Sequence, residues 1–120
     1  MEFIFIYAIV WSLGACLKFE SRKKFEEVLK RTSGRHLPAT SLFDNLYDYL
    51  SDNRMWVAWE KKVTEYQPPA DGKFSKILVP TADTKRFSFI LAQNIALKIP
   101  TMFVGDSGTA KSVIIMNYLT

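Results

Sequence analysis

The chain has 120 residues, 48% of them hydrophobic and 14% aromatic, and a formal net charge of +4. That length and apolar content are enough for a small buried core and exclude a disordered tail. The basic excess is modest and interleaved with acids, which argues against a nucleic-acid patch: in "FESRKKFEEVLKR" Glu20 and Lys24, Glu26 and Lys30, and Glu27 and Arg31 are spaced i, i+4, as on a solvated helix face.

The first seventeen residues, "MEFIFIYAIVWSLGACL", are almost wholly apolar and end in a Leu13, Gly14, Ala15, Cys16 run that resembles a lipoprotein signal. Glu2 stands where such a signal carries positive charge, and the run falls short of the roughly 20 residues a membrane span needs, so a buried helix over 3–19 is expected. Cys16 is the only cysteine, which rules out an internal disulfide and leaves it as a small core residue of that helix. A second helix is expected over 22–32, from Phe25, Val28 and Leu29 at helical spacing, with Gly34 as its C-cap. A connection follows over 33–41. The pattern over 42–50 fits two periods: Leu42, Phe43, Leu46, Tyr47 and Leu50 suit a helix, whereas Phe43, Asn45, Tyr47 and Tyr49 share one face of a strand. The aromatic and β-branched run 55–59 is equally ambiguous, and "QPPADG" over 67–72 is a loop.

Beyond that loop, 77–79 is expected to be a short buried extended segment stopped by Pro80. Thr81 or Asp83 then caps a helix carrying Phe87, Ile90, Leu91 and Ile95, which Pro100 prevents from continuing. An apolar strand over 101–104, a glycine-containing turn over 105–110 and a helix over Lys111–Leu119 complete the chain, the strand, loop and helix order of a phosphate-binding loop.

The turn reads "GDSGTAKS", one residue away from G-x-x-x-x-G-K-[ST]. In such a loop main-chain N–H groups converge on a phosphate at the positive end of the following helix. Gly105, Asp106, Ser107, Gly108, Thr109, Ala110, Lys111 and Ser112 are therefore the candidate phosphate-binding residues. Lys111 would reach the β- and γ-phosphates of ATP or ADP, and the Ser112 hydroxyl would hold Mg²⁺. Ala110 replaces the usual glycine. A methyl group there is nearly neutral at negative φ and costs about 1–2 kcal/mol in the left-handed region. Hydrolysis also needs an acidic strand end, and none follows the loop within these residues, so the chain is expected to contact nucleotide without turning it over.

"FIYAIVWSLGACL" (5–17), "SRKKFEEVL" (21–29), "LFDNLYDY" (42–49), "WVAWEKKV" (56–63), "ILVPTADTKRFSFIL" (77–91) and "PTMFVGDSGTAKS" (100–112) together resemble axonemal dynein heavy chains, in the stretch from the end of the second AAA+ module into the third. Alanine before the lysine is a feature of that family's loop. The resemblance implies an α/β fragment: residues 1–35 as the helical end of one module, 36–76 as a connecting segment with short strands, and 77–120 as the start of the next. It implies a microtubule motor with a ring of six AAA+ modules, in which nucleotide at the third regulates the ring. Leu78, Val79, Pro80 and Thr81 would lie beside the adenine. The first helix becomes a buried helix of a small subdomain, the two ambiguous runs become strands, Trp56 and Trp59 become packing residues, and His36 lies on the surface. The partners implied are the rest of the heavy-chain ring and, through the full-length protein, microtubules and dynein intermediate and light chains, with no nucleic acid and no membrane. The place implied is the cytoplasm, the cytoskeleton and the ciliary axoneme, with a reading frame that continues past Thr120. The alternatives are an MCM-type helicase, whose loop is similar but whose upstream sequence is not, and a small non-enzymatic interaction protein with a vestigial loop.

Overall fold

The computed structural model describes residues 1–73 and 77–120, so the last three positions of the expected connecting segment 36–76 lie outside the described residues. Two compact units divide the chain, Met1–Lys61 and Lys62–Thr120.

In the first unit, helix α1 spans Glu2–Ser12, shorter than expected, and gives way to a 3-10 turn at Gly14–Cys16. The cause is a close approach at Gly14, where an added Cβ would lie 2.8 Å from Phe25 Cε1 and from Phe43 Cζ. Arg22 fixes the corner: its Nη2 donates to Ala15 O at 3.2 Å, its Nε donates to Leu17 O at 3.4 Å, and its guanidinium lies 4.4 Å from the Phe43 ring centroid. The chain is thereby reversed early enough for α2 to run over Phe19–Ser33, and Gly34 closes that helix in the left-handed region (φ 61°, ψ 17°), as expected. Burial of α1 is one-sided. Ile6, Tyr7 and Val10 are inside, while Ile4 and Phe5 remain exposed, because only one face has partners within the unit. Cys16 is exposed on the turn instead of packed in a helix. His36 is on the surface, as expected.

The polar face of α2 is less solvated than its sequence implies. Glu26 is buried, and its carboxylate accepts from Ser41 Oγ at 2.7 Å and from the Leu42 amide, while Lys30 Nζ donates to Thr40 O at 3.3 Å. These bonds deliver Leu42 and Phe43 into a core with Ile6, Val10 and Leu37. The ambiguity over 42–50 resolves into a 3-10 turn at Leu42–Asp44 followed by strand β1, Asn45–Asp48. β1 pairs antiparallel with β2, Met55–Ala58, in the register Asn45↔Ala58, Leu46↔Val57, Tyr47↔Trp56 and Asp48↔Met55. Cross-strand packing explains why the extended form wins: Tyr47 and Trp56 sit at 5.4 Å between ring centroids, and Phe3 of α1 covers both, at 5.4 Å and 6.2 Å. Trp59 is buried just beyond β2, so Trp56 and Trp59 both serve in packing.

In the second unit Thr81 is the cap. Its Oγ1 accepts from Thr84 N at 3.1 Å and the Thr84 hydroxyl accepts from Thr81 N at 2.8 Å, a reciprocal box that starts α3, Ala82–Ala96. The helix ends before Pro100 can act. Lys98 is left-handed (φ 56°), its N–H donates to Ile95 O at 3.0 Å and that of Ile99 to Asn94 O at 2.8 Å, so a Schellman turn with lysine in glycine's usual place stops it. Helix α4 follows at Lys111–Leu119, as expected; Leu91 of α3 and Ile114 of α4 are buried, and Phe103 meets Phe87 edge-on at 6.4 Å.

Neither strand expected here forms. Residues 77–79 and 101–104 are irregular, with Val79 54% exposed, Met102 84% and Val104 81%, so 77–79 is not the buried segment its composition implies. A strand is held by its neighbours' ladder, and among the described residues none pairs with either segment. The helices and a small antiparallel sheet of the expected α/β fragment are present, whereas the phosphate-loop unit is reduced to loop and helix.

Candidate nucleotide site

The loop 105–112 leads directly into α4. Gly108 is at φ +80°, a conformation that disfavours any residue with a Cβ, and a turn forms around it. Ala110 is the N-cap of α4 at φ 60°, ψ 14°. This is the costly branch of the choice posed by its sequence: the methyl group occupies the left-handed region that glycine enters freely.

Ile114 N donates to Ala110 O at 3.0 Å, the first helical bond of α4, so the amides of Lys111, Ser112 and Val113 precede any intrahelical acceptor. The Lys111 side chain folds back over the loop. Its ammonium donates to Gly105 O at 2.9 Å, to Thr109 Oγ1 at 2.8 Å and to Asp106 O. Thr109 Oγ1 in turn donates to Asp106 O at 2.7 Å. Four of the eight expected phosphate-binding residues, Gly105, Asp106, Thr109 and Lys111, are thus tied together by side-chain bonds, and Gly108 and Ala110 supply the turns between them. Ser107 and Ser112 are exposed, with Ser112 in the first turn of α4.

The donor set fits a polyphosphate. It combines a lysine ammonium on the loop, helix-start amides without internal partners, and at Ser112 a hydroxyl of the kind that ligates Mg²⁺. Among the described residues no group of three or more His, Cys, Asp or Glu could hold a metal ion by itself.

The residues expected near the adenine are placed less tightly. Leu78 and Pro80 are half-buried, Val79 and Thr81 are exposed, and none of the four hydrogen bonds to the loop. Thr81 is engaged as the cap of α3. Sequence reasoning missed the use of Thr109 as an acceptor for Lys111; the one available signal was a hydroxyl two residues before the lysine.

Comparison with known proteins divides at the same place as the structure. A family described as "Dynein heavy chain AAA lid domain" matches residues 1–61, and one described as "P-loop containing dynein motor region" matches residues 66–120. The chain belongs to the dynein heavy chain family. It is 40% identical over 134 aligned residues to the Dynein-1-alpha heavy chain of the flagellar inner arm I1 complex of Chlamydomonas reinhardtii, and 38% identical over 132 to human Dynein axonemal heavy chain 10. To human Dynein axonemal heavy chain 8 it is 34% identical over 122. These alignments cover 97–99% of this dynein chain and 3% of each relative, so it spans about 3% of the length of the curated relatives it matches. No helix among the described residues is long and apolar enough to cross a membrane.

Proposed function

We propose that this chain is a nucleotide-binding segment of an axonemal dynein heavy chain, contributing to microtubule-based ciliary movement through a regulatory AAA+ site. Residues 1–35 close one module, 36–76 connect, and 77–120 open the next. The observation that carries this is the Lys111 ammonium, drawn over the loop at the start of α4 by Gly105 O, Asp106 O and Thr109 Oγ1. The helix-start amides and Lys111 bind the phosphates of ATP or ADP, Ser112 ligates Mg²⁺, and Leu78 and Val79 pack on the adenine with Pro80 and Thr81 beside them. Bound Mg²⁺ supplies charge neutralisation between the phosphates.

By itself the 120-residue segment binds nucleotide without turning it over, since residues 113–120, "VIIMNYLT", carry no acid to polarise water. Its partners are the remainder of the heavy-chain ring and, through the full-length protein, microtubules and intermediate and light chains, in the cytoskeleton of the axoneme.

Titration of the 120-residue chain with Mg-ATP tests the site. Binding weaker than about 1 μM is expected, because base and γ-phosphate have few walls here, and Lys111→Ala should abolish it. Submicromolar affinity, binding indifferent to Lys111→Ala, or steady phosphate release lost on that substitution would each contradict the proposal. A blot of ciliated cells with an antibody to residues 60–76 tests the heavy-chain assignment: a band far above 13.8 kDa is expected.

A further inference from the structure

An ammonium has three N–H donors and no acceptor. Lys111 Nζ directs all three to oxygens of its own loop: Gly105 O at 2.9 Å, Thr109 Oγ1 at 2.8 Å, and Asp106 O. The sense of the threonine contact is fixed. A carbonyl can only accept, so the one Thr109 proton points to Asp106 O, 2.7 Å away, and a lone pair of Oγ1 is what meets the ammonium. Two of the three acceptors are main-chain carbonyls held by the turn. The third is a hydroxyl that rotation about a single side-chain bond moves aside.

We propose that Thr109 is a positioning residue whose hydroxyl stands in for a phosphate oxygen on Lys111. This rests on the phosphate-binding assignment above. The hydroxyl keeps the ammonium fully paired and turned over the loop, and yields its place when an anionic oxygen arrives. The exchange replaces a neutral acceptor with a charged one, the stronger partner for an ammonium, and the freed hydroxyl is on the exposed side of the loop, where water satisfies it. The contact is closely fitted: a Cβ on Gly105 would lie 3.3 Å from Thr109 Oγ1, so glycine there leaves the hydroxyl its room.

Thr109→Val keeps the branched shape and removes both the acceptor and the donor, while Thr109→Ser keeps both. The test uses the 120-residue chain with ¹⁵N-labelled lysine, the Lys111 ammonium resonance being assigned by its loss in Lys111→Arg, and two probes, inorganic tripolyphosphate and Mg-ATP. Without ligand, the wild type and Thr109→Ser should show a slowly exchanging Lys111 ammonium signal that Thr109→Val loses. Tripolyphosphate should bind Thr109→Val roughly three- to tenfold more tightly than wild type, the span of one net hydrogen bond no longer displaced, and Thr109→Ser as wild type does. A protected ammonium signal persisting in Thr109→Val, or an affinity for tripolyphosphate unchanged or weakened by that substitution, would overturn the proposal. Binding of tripolyphosphate with the expected Thr109→Val gain, but none of Mg-ATP, would leave the stand-in role supported and remove the nucleotide assignment instead.

Discussion

Met1–Lys61 holds nine of the eleven hydrophobic side chains that are buried among the described residues, from Ile6 to Trp59, whereas Lys62–Thr120 holds two, Leu91 and Ile114. The first unit is organised by tertiary contact: a helix, a turn and a hairpin share one apolar cluster, and a carboxylate from α2 fastens the connection that completes it. The second is organised by local chemistry, namely a threonine box, a Schellman turn and a self-bonded loop, around a thin contact between α3 and α4. A region with little core of its own is one whose loop geometry is set by short-range bonds, and short-range bonds are what an arriving anion can exchange.

The largest effect should come from the core of the first unit. Leu42 is fully buried, and Leu42→Ala should cost about 3 kcal/mol, read as a lowered midpoint in chemical denaturation followed by tryptophan fluorescence. If that midpoint barely moves, the two units do not differ as described. Next, Gly14→Ala forces a methyl group against Phe25 and Phe43 at 2.8 Å and should cost about 2 kcal/mol in the same assay. In the second unit Thr81→Ala removes a cap and should cost about 1 kcal/mol, seen as lost helical circular dichroism, with the tryptophan transition unchanged because Trp11, Trp56 and Trp59 all belong to the first unit. A shifted tryptophan transition would show that the units melt together. The smallest effect has the opposite sign: Ala110→Gly relieves a left-handed alanine and should stabilise α4 by about 0.5–1 kcal/mol, visible as slower amide exchange from Ile114 onward, where the helical bonds begin.

The same division governs what was legible in the sequence. Signals that act over four residues were readable: Gly34 as a helix cap, Thr81 as one of two N-cap candidates beside Asp83, α4 opening at Lys111, and the glycine-bearing turn before it. Features decided by distant contact were not. The end of α1 depends on two rings packed against Gly14, and the burial of Glu26 depends on residues fifteen and sixteen positions on, so neither leaves a local trace. The two ambiguous runs became turn and hairpin because each supplies the other's ladder. The strand expected at 101–104 failed for the converse reason, since the composition of "TMFV" describes what a strand prefers and no neighbour among the described residues pairs with it. At the site, the motif named the eight loop residues and left open the sign of φ at Ala110, which only the folded turn decides.

Glu26 carries one more consequence. Its carboxylate receives the Leu42 amide at the entrance to a single 3-10 turn, in a stretch of the chain with no ladder or long helix to protect it. Solvent deuterium should therefore reach that amide only when α2 and the connection part company. A single slow proton at Leu42 would then serve as a clock for the opening of the first unit, readable without perturbing the second.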